Sequence, residues 1–369
     1  MQTQRGRVAI FAAAFLIAIV AISVGAFYLL SHKRTVEVLG SISSTLLESS
    51  SLPTALTATG PVVSQITGLP CSNAKNGILP RPLGVMFAGD TVARPLSGIA
   101  DADVVIEMPV ITDSINRMLA IFQCNAVSEI GSVRSARDDF IPLAAGFDAI
   151  YGHWGGSHFA LDKLNFGIIN NIDALRNPYG AYFRKKGISS PHNGFTSWDR
   201  LYGAAQKLGY RLTTEFSGYP HLQESGADSP SFAEASAGGQ EPKVMKIGYP
   251  GQFRVEWRYD ATAKTFLRFR GGTPELDRNT KKQVRAGTVA VMRTTSRQIE
   301  GQYNTVKVIG EGPASIFRFG QEVQGKWQKA ESPQSSPLRF IGENGVDIEF
   351  APGVVWIEIV QTNTKVEFR

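Results

Sequence analysis

The chain has 369 residues, two cysteines and a formal net charge of +6, from 38 Lys plus Arg and 32 Asp plus Glu. A hydrophobic content of 43% excludes a mainly disordered chain. There is no CxxC motif and no Cys/His cluster, so we predict no metal site. The sequence has no basic helix, no arginine patch interleaved with aromatics and no P-loop, and we therefore expect no nucleic-acid partner and no cofactor.

The first feature in chain order is an uncharged apolar run of 24 residues at 8–31. A helix of this length spans roughly 36 Å at about 1.5 Å per residue, more than the roughly 30 Å of bilayer hydrocarbon. The apolar region of a cleaved signal peptide has only about 7 to 15 residues. We therefore predict a cytoplasmic tail at 1–7 and an uncleaved single-pass transmembrane anchor at 8–31, with cleavage after Gly25 as the alternative.

A segment rich in hydroxyl side chains follows the anchor, with thirteen Ser or Thr in 35–67. This composition favours a flexible stalk at 32–67 that holds the globular part away from the membrane, outside the cytoplasm. A second segment at 221–242, rich in Ser, Ala, Gly, Pro and acidic residues, predicts a linker between domains at 68–220 and 243–369. From Glu241 onward there are 20 basic and 14 acidic residues, so the net charge belongs to the C-terminal domain.

The first domain alternates strand-like and helix-like segments. Short apolar runs predict strands at 83–87, 103–108, 117–124 and 149–154. Capping residues and helical periodicity predict three helices, which begin at Ser135, after Ser157 and at Thr196. The second domain is predicted to be almost entirely antiparallel β, with a hairpin at 253–269 and strands at 288–293, 305–309, 314–319, 323–327, 347–350 and 354–359.

The predicted fold class is therefore α+β with two domains, a mixed α/β domain followed by an antiparallel β domain, after one transmembrane helix. Both cysteines, Cys71 and Cys124, fall in the first domain. Outside the cytoplasm they either pair or remain two buried thiols, and the sequence leaves both possibilities open.

Three segments of the first domain carry side chains suited to ligand binding, at 131–137, 151–157 and 190–193. The first two lead into predicted helix N-termini, whose free N–H groups favour an anion. Arginine adds a planar fork for carboxylate or phosphate, and neutral histidine or asparagine adds uncharged donors. The candidate ligand-binding residues in these segments are Arg134, Arg137, His153, His192 and Asn193. The secondary candidates are Asp103, Glu107, Arg117 and Ser157.

Ordinary structural explanations compete with this hypothesis. The arginines have Asp138, Asp139 or Glu107 available as salt-bridge partners, and a histidine beside a tryptophan is more often a satisfied core residue. A hydrolase would need Ser157 activated by His153 or His192, but the surrounding sequence lacks the GxSxG elbow.

Several spaced motifs resemble the YerB-like family of bacterial proteins. In the first domain they are 93–98, 102–107, 117–123, 131–137 and 191–193, and in the second they are 310–314, 325–327 and 353–357. The resemblance implies an extracytoplasmic, lipoprotein-type protein of unknown biochemical function, and it adds Arg94 to the candidate ligand-binding residues. The chain departs from the pattern in having an anchor where a lipidated cysteine is expected, and Asp90 where Asn is expected.

These observations favour a membrane-anchored extracytoplasmic protein that binds an anionic envelope ligand, a cell-wall polymer or an envelope partner protein. In this hypothesis Arg94, Arg134 and Arg137 bind the anion, His153 and His192 donate hydrogen bonds, and Asn193 orients the ligand. The alternatives are a cell-wall hydrolase or transferase that uses Ser157 and His192, and a structural partner of wall-synthesis enzymes.

Overall fold

The computed structural model describes residues 61–222 and 243–369, which belong to one compact unit. The predicted anchor at 8–31, most of the stalk and most of the linker lie outside the described residues. Across 61–222 and 243–369, no helix has both the length and the apolar character needed to cross a membrane. Strand exceeds helix, 41% against 13%, so the protein is mostly β rather than evenly mixed.

The described residues contain three α-helices and twenty-one strands. The helices are α1 (Phe140–Gly146), α2 (His158–Asn165) and α3 (Trp198–Lys207). The strands are β1 (Leu83–Ala88), β2 (Val104–Pro109), β3 (Asn116–Phe122), β4 (Ile130–Gly131), β5 (Ile150–His153), β6 (Asn171–Asp173), β7 (Phe183–Arg184), β8 (Gly194–Thr196), β9 (Val244–Ile247), β10 (Val255–Asp260), β11 (Thr265–Arg270), β12 (Thr273–Pro274), β13 (Arg285–Ala286), β14 (Thr288–Thr294), β15 (Ser296–Glu300), β16 (Tyr303–Val306), β17 (Gly310–Arg318), β18 (Gln321–Lys329), β19 (Arg339–Gly342), β20 (Val355–Gln361) and β21 (Val366–Phe368).

Ten strands from both sequence halves form one mixed sheet, in the order β19-β18-β17-β14-β20-β2-β3-β1-β5-β6. Strand β20 joins the two halves because it runs parallel to β14 on one side and to β2 on the other. Six of its seven residues are buried, as expected for a strand covered on both faces. The mostly antiparallel pairing predicted for the second domain is found between β14 and β17 and between β17 and β18, whereas β20 is parallel to β14. The large sheet combines strands from both sides of the predicted linker.

Each face of the large sheet supports its own hydrophobic core. One core joins it to helix α3 and to a second sheet of order β12-β11-β10-β9-β21, through residues such as Trp257 and Trp356. The other core joins it to α1 and α2, through residues such as Phe140 and Leu164. Burial of these side chains at about 25 cal/mol per Å² of apolar surface is the main stabilisation of the fold.

Two predicted boundaries differ from the structure. Residues 61–67, assigned to the stalk, belong to the compact unit, and Ile66 is fully buried. The helix predicted from Ser135 begins only at Phe140. The reason is that the Ala136 N–H donates to Gly155 O and the Ala136 carbonyl accepts from Ser157 N–H, which holds this stretch in a β-bridge. The segment carrying Arg134 and Arg137 is therefore extended and precedes the helix.

Cys71 and Cys124 form a disulfide, which links two positions 53 residues apart in the sequence. Both residues are buried, and with Leu79 they form a small hydrophobic cluster of their own.

Candidate functional site

Three arginines of the first half come together near the start of β3, an interior strand of the large sheet. Arg117 lies at the start of β3, while Arg134 and Arg137 belong to the extended segment between β4 and α1. Each is held by one main-chain carbonyl: Arg117 Nη1 donates to Ser135 O at 3.1 Å, Arg134 Nη1 to Pro191 O at 3.1 Å, and Arg137 Nη1 to Ala136 O at 2.9 Å. We call Arg117, Arg134 and Arg137 the basic cluster.

The guanidinium groups of the basic cluster have no acidic partner within 4.0 Å in the described part of the chain. Their three Nε atoms are buried and make no hydrogen bond there, and Arg117 is only 7% exposed. A buried charge or N–H group without a partner costs free energy, so such groups are normally paired. The cluster therefore has unused capacity for hydrogen bonds to an anion.

The electrostatics of the cluster agree with its geometry. Burial, together with the charges of Arg137 and Arg134, lowers the pKa of Arg117 to about 9. Burial also lowers the pKa of Arg134 and of Arg137. A bound anion would relieve both the desolvation and the mutual repulsion of these groups.

Two further side chains adjoin the cluster. The pKa of His192 is lowered by burial and by the neighbouring Arg134, which favours the neutral imidazole, and its Nδ1 is buried without a partner in the described residues. Asp90 acts in the opposite direction, since its negative charge raises the pKa of Arg134 and of Arg117 against the effect of burial.

A hairpin from the second half, β15–β16, borders the basic cluster. The guanidinium carbon of Arg137 lies 5.4 Å from the centroid of the Tyr303 ring. The hairpin is held by Asp139, whose carboxylate accepts from Val306 N–H at 2.7 Å, and by a contact of 3.2 Å between His158 Nε2 and Glu300 Oε2. Both sequence halves therefore shape this site.

Arg94 lies elsewhere. Its Nη2 donates to Gly89 O, and its guanidinium carbon lies 6.0 Å from the Phe253 ring centroid. Burial lowers its pKa to about 10, with the charge of Arg270 as the next cause. It lines a cavity of about 470 Å³ together with Arg270 and Glu275. The structure therefore separates Arg94 from the other predicted arginines.

Glu107 belongs to a buried ion-pair network between the two sheets. Its carboxylate accepts from Arg268 Nη2 at 2.5 Å and from Arg270 Nη2 at 2.7 Å. Arg268 also pairs with Glu275 at 2.8 Å and with Glu358 at 2.5 Å. We call these five residues the paired network. Glu107 is therefore occupied in a structural contact and is not free to bind a ligand.

Two more candidate residues have structural partners. His153 is fully buried, with Nδ1 2.9 Å from Gly155 O and Nε2 3.2 Å from Asn171 Oδ1. The side-chain oxygen of Asn193 accepts from Arg184 Nη1 at 2.7 Å, so it already has a hydrogen-bond partner. These contacts favour the core interpretation of His153 and Asn193 over the ligand-binding one.

The side chains of Asp103 and Ser157 also have structural partners, since both accept hydrogen bonds from main-chain N–H groups. The Asp103 carboxylate accepts from Gln123 N–H at 2.5 Å and Cys124 N–H at 3.0 Å, and burial raises its pKa to about 6. Ser157 Oγ caps helix α2 by accepting from Ala160 N–H at 3.2 Å, and within the described residues it has no hydrogen bond to a histidine. The geometry needed for a serine nucleophile is therefore not assembled.

The sequence interpretation gave Arg117 only a secondary place and missed Tyr303, Arg268 and Arg270. A signal for the paired network was present, because Glu107 and Glu358 each interrupt an otherwise apolar strand. No comparable local signal marks Tyr303, which reaches the cluster through long-range packing.

The fold defines the class of the protein as a two-domain, mostly β protein whose halves share one mixed sheet. The N-terminal domain described as a protein of unknown function (DUF3048) matches residues 66–211, and the C-terminal domain of the same description matches residues 245–357. The chain carries both domains and belongs to the YerB-like family, as its motifs indicated.

Two comparisons with YerB of Bacillus subtilis support this assignment. The YerB of strain 168, provisionally named a lipoprotein, is 29% identical over 284 residues, which cover 76% of this chain and 81% of that protein. The crystal structure of the YerB protein from Bacillus subtilis has a TM-score of 0.71 to this fold and 26% identity, covering 83% of this chain and 99% of that chain.

Proposed function

We propose that this chain is a membrane-anchored extracytoplasmic protein that binds an anionic group of the cell envelope at the basic cluster. One observation carries the proposal: Arg117, Arg134 and Arg137 converge without a carboxylate partner in the described residues, although Arg117 is almost fully buried. Each guanidinium is positioned by a main-chain carbonyl, which leaves the remaining N–H groups for a ligand. Planar guanidinium groups are well suited to phosphate or carboxylate oxygens.

Three observations support the extracytoplasmic location. The apolar run at 8–31 has the length of a membrane-spanning helix. The Cys71–Cys124 disulfide is typical of an oxidising compartment outside the cytoplasm. The relative YerB is provisionally named a lipoprotein, which is a membrane-attached class of protein. Together they favour an envelope polymer that bears phosphate or carboxylate groups as the ligand.

The test is sedimentation of the full-length protein, in detergent, with cell-wall sacculi that carry anionic wall polymer, across a salt series. We expect the wild type to bind, and Arg134→Ala/Arg137→Ala to bind at least about tenfold more weakly, because two charge-assisted contacts are lost. Binding should also weaken with salt, since these arginines are partly exposed.

The matched control is Arg254→Ala/Arg285→Ala, which removes the same charge from two exposed arginines of the C-terminal half. This variant should bind like the wild type. If it loses binding while the cluster variant retains it, the basic surface of the second domain is responsible and the proposed site is wrong. Absence of sedimentation for the wild type at every salt concentration would also contradict the proposal.

A further inference from the structure

Asp90 is an unpaired carboxylate beside the basic cluster. It follows strand β1 closely, and Ala88 at the end of that strand is aligned with Arg117 on β3. In the described residues its side chain forms no hydrogen bond and no ion pair within 4.0 Å, although its charge acts on Arg117, Arg134 and His192. Unpaired groups of both signs therefore lie next to one another.

The position of Asp90 is fixed by its neighbours. The chain at Gly89 passes so close to β3 that a Cβ there would lie 2.3 Å from Asn116 O. The Gly89 carbonyl accepts from Arg94, and the Asp90 carbonyl accepts from Ala93 N–H at 3.1 Å. The main chain around Asp90 is therefore held on both sides, which keeps its carboxylate beside the cluster without pairing it.

A simple anion would gain from the arginines but would be repelled by Asp90. A ligand that carries an anionic group and, a few bonds away, an ammonium group would satisfy both sets of unpaired groups. We propose that the site accepts a zwitterionic phosphate ester, with its phosphate on Arg117, Arg134 and Arg137 and its ammonium on Asp90. This inference rests on the proposed function and specifies the chemical class of its ligand.

Two sources present this chemistry, a phosphoethanolamine-type group on a polymer or soluble ester and the headgroup of a lipid. In both, an ammonium on Asp90 would form a charge-assisted hydrogen bond, which is about twice as strong as a neutral one. We therefore expect a preference of about tenfold for a phosphate ester that carries an ammonium over one that lacks it.

The test compares O-phosphoethanolamine with ethyl phosphate, which has the same two-carbon ester chain but no ammonium, by calorimetric titration of the full-length protein in detergent. The wild type should bind O-phosphoethanolamine about tenfold more tightly. Asp90→Asn should lose this preference and bind ethyl phosphate at least as well as the wild type does, because the repulsion is gone. Asp138→Asn is the matched control and should keep the preference, since Asp138 already pairs with Lys163 at 3.5 Å.

The outcomes separate this inference from the proposed function. Equal affinity of the wild type for both esters, or a preference that persists in Asp90→Asn, overturns the inference. The anion site still stands in either case if ethyl phosphate binds the wild type and not Arg134→Ala/Arg137→Ala. If neither ester binds the wild type, the proposed function fails and the inference fails with it.

A competition experiment distinguishes the two sources once the preference is established. Phosphatidylethanolamine is added to the detergent micelles, with phosphatidylglycerol as the comparison lipid. Displacement of O-phosphoethanolamine by phosphatidylethanolamine alone supports the inference with a lipid headgroup as the source. Displacement by neither lipid supports it with a soluble or polymer-borne ester, and equal displacement by both contradicts the need for an ammonium.

Discussion

Two groups of buried arginines in this protein have opposite surroundings. In the paired network, Arg268 and Arg270 share three carboxylates, and the Arg268 guanidinium also stacks 3.9 Å from the centroid of the Trp356 ring. In the basic cluster, Arg117 is nearly as buried, yet its guanidinium has one carbonyl partner and arginine neighbours within the described residues. Buried arginine is thus paired with carboxylates in one region and lacks acidic partners in the other.

The difference is visible in the titration of each group. Arg270 and Arg268 outweigh the effect of burial on Glu275 and lower its pKa to about 2, so that carboxylate stays charged in its ion pairs. For Arg117 the charge of Asp90 does not outweigh burial and the neighbouring arginines, and its pKa falls to about 9. Unpaired buried charge is retained in a fold at a cost to stability, and ligand binding is the usual reason for such a cost. By this criterion the basic cluster, and not the paired network, is the candidate ligand site.

The largest expected effect is the loss of one arginine from the paired network. Arg268→Ala should lower the free energy of unfolding by about 3 to 5 kcal/mol, because the buried Glu358 would lose its ion pair while Glu107 and Glu275 would share Arg270 alone. The measurement is urea unfolding of the full-length protein at pH 7, followed by tryptophan fluorescence.

The matched variant in the basic cluster is Arg117→Met, which keeps a long side chain and removes a buried charge without orphaning a carboxylate. It should change the free energy of unfolding by less than about 1 kcal/mol or raise it, because the lost charge had no acidic partner. An equal loss of stability in both variants would remove the distinction between the two regions.

The sequence predicted the four longest strands of the first half but not its shorter ones, and it could not predict how the halves combine. Strands β1, β2, β3 and β5 are short apolar runs with clear ends, so local pattern was sufficient. The position of β20 between β14 and β2 depends on pairings such as Val104 with Val355, and nothing local specifies a contact across that separation. Sheet order is a property of tertiary packing.

The candidate site shows the same limit. Arg134 and His192 are neighbours, as hypothesised, but Arg94 lies apart from them. A sequence motif does not show which part of the fold its side chain contacts. On β11 the buried residues are Phe266, Arg268 and Arg270, which alternate as in any strand, whereas polarity alone would have placed Leu267 and Phe269 inside and the two arginines outside. Pairing of these buried arginines with carboxylates from distant strands overrides the polarity pattern there.

Asp139 is intermediate between the two regions, since it is a shielded carboxylate with hydrogen bonds but no arginine partner. Burial and the neighbouring Asp138 raise its pKa to about 7, against the hydrogen bond from Val306. The folded protein therefore holds this proton between about pH 4 and pH 7 while the unfolded chain does not, so stability should fall as the pH rises over that interval and level off above about pH 7.

The variant Asp139→Asn tests this pH dependence, because the amide can still accept from Val306 but does not titrate. Between pH 5 and pH 8 the wild type should lose about 1 to 2 kcal/mol more unfolding free energy than the variant does. Urea midpoints across that range give the measurement. Parallel pH profiles for the two proteins would show that Asp139 is charged throughout and is stabilised like the carboxylates of the paired network.

The smallest expected effect concerns Tyr303, which gives Arg137 an aromatic contact without a carboxylate. Tyr303→Ala should weaken binding of ethyl phosphate by about two- to fivefold, since a cation–π contact of this kind is worth about 0.5 to 1 kcal/mol. Tyr303→Phe keeps the ring and should bind like the wild type. Equal weakening in both variants would mean that the hydroxyl rather than the ring is needed. In that case the aromatic contact would not be what positions the Arg137 guanidinium for an anion. Arg137 and the Trp356-stacked Arg268 would then differ only in whether carboxylates pair with them.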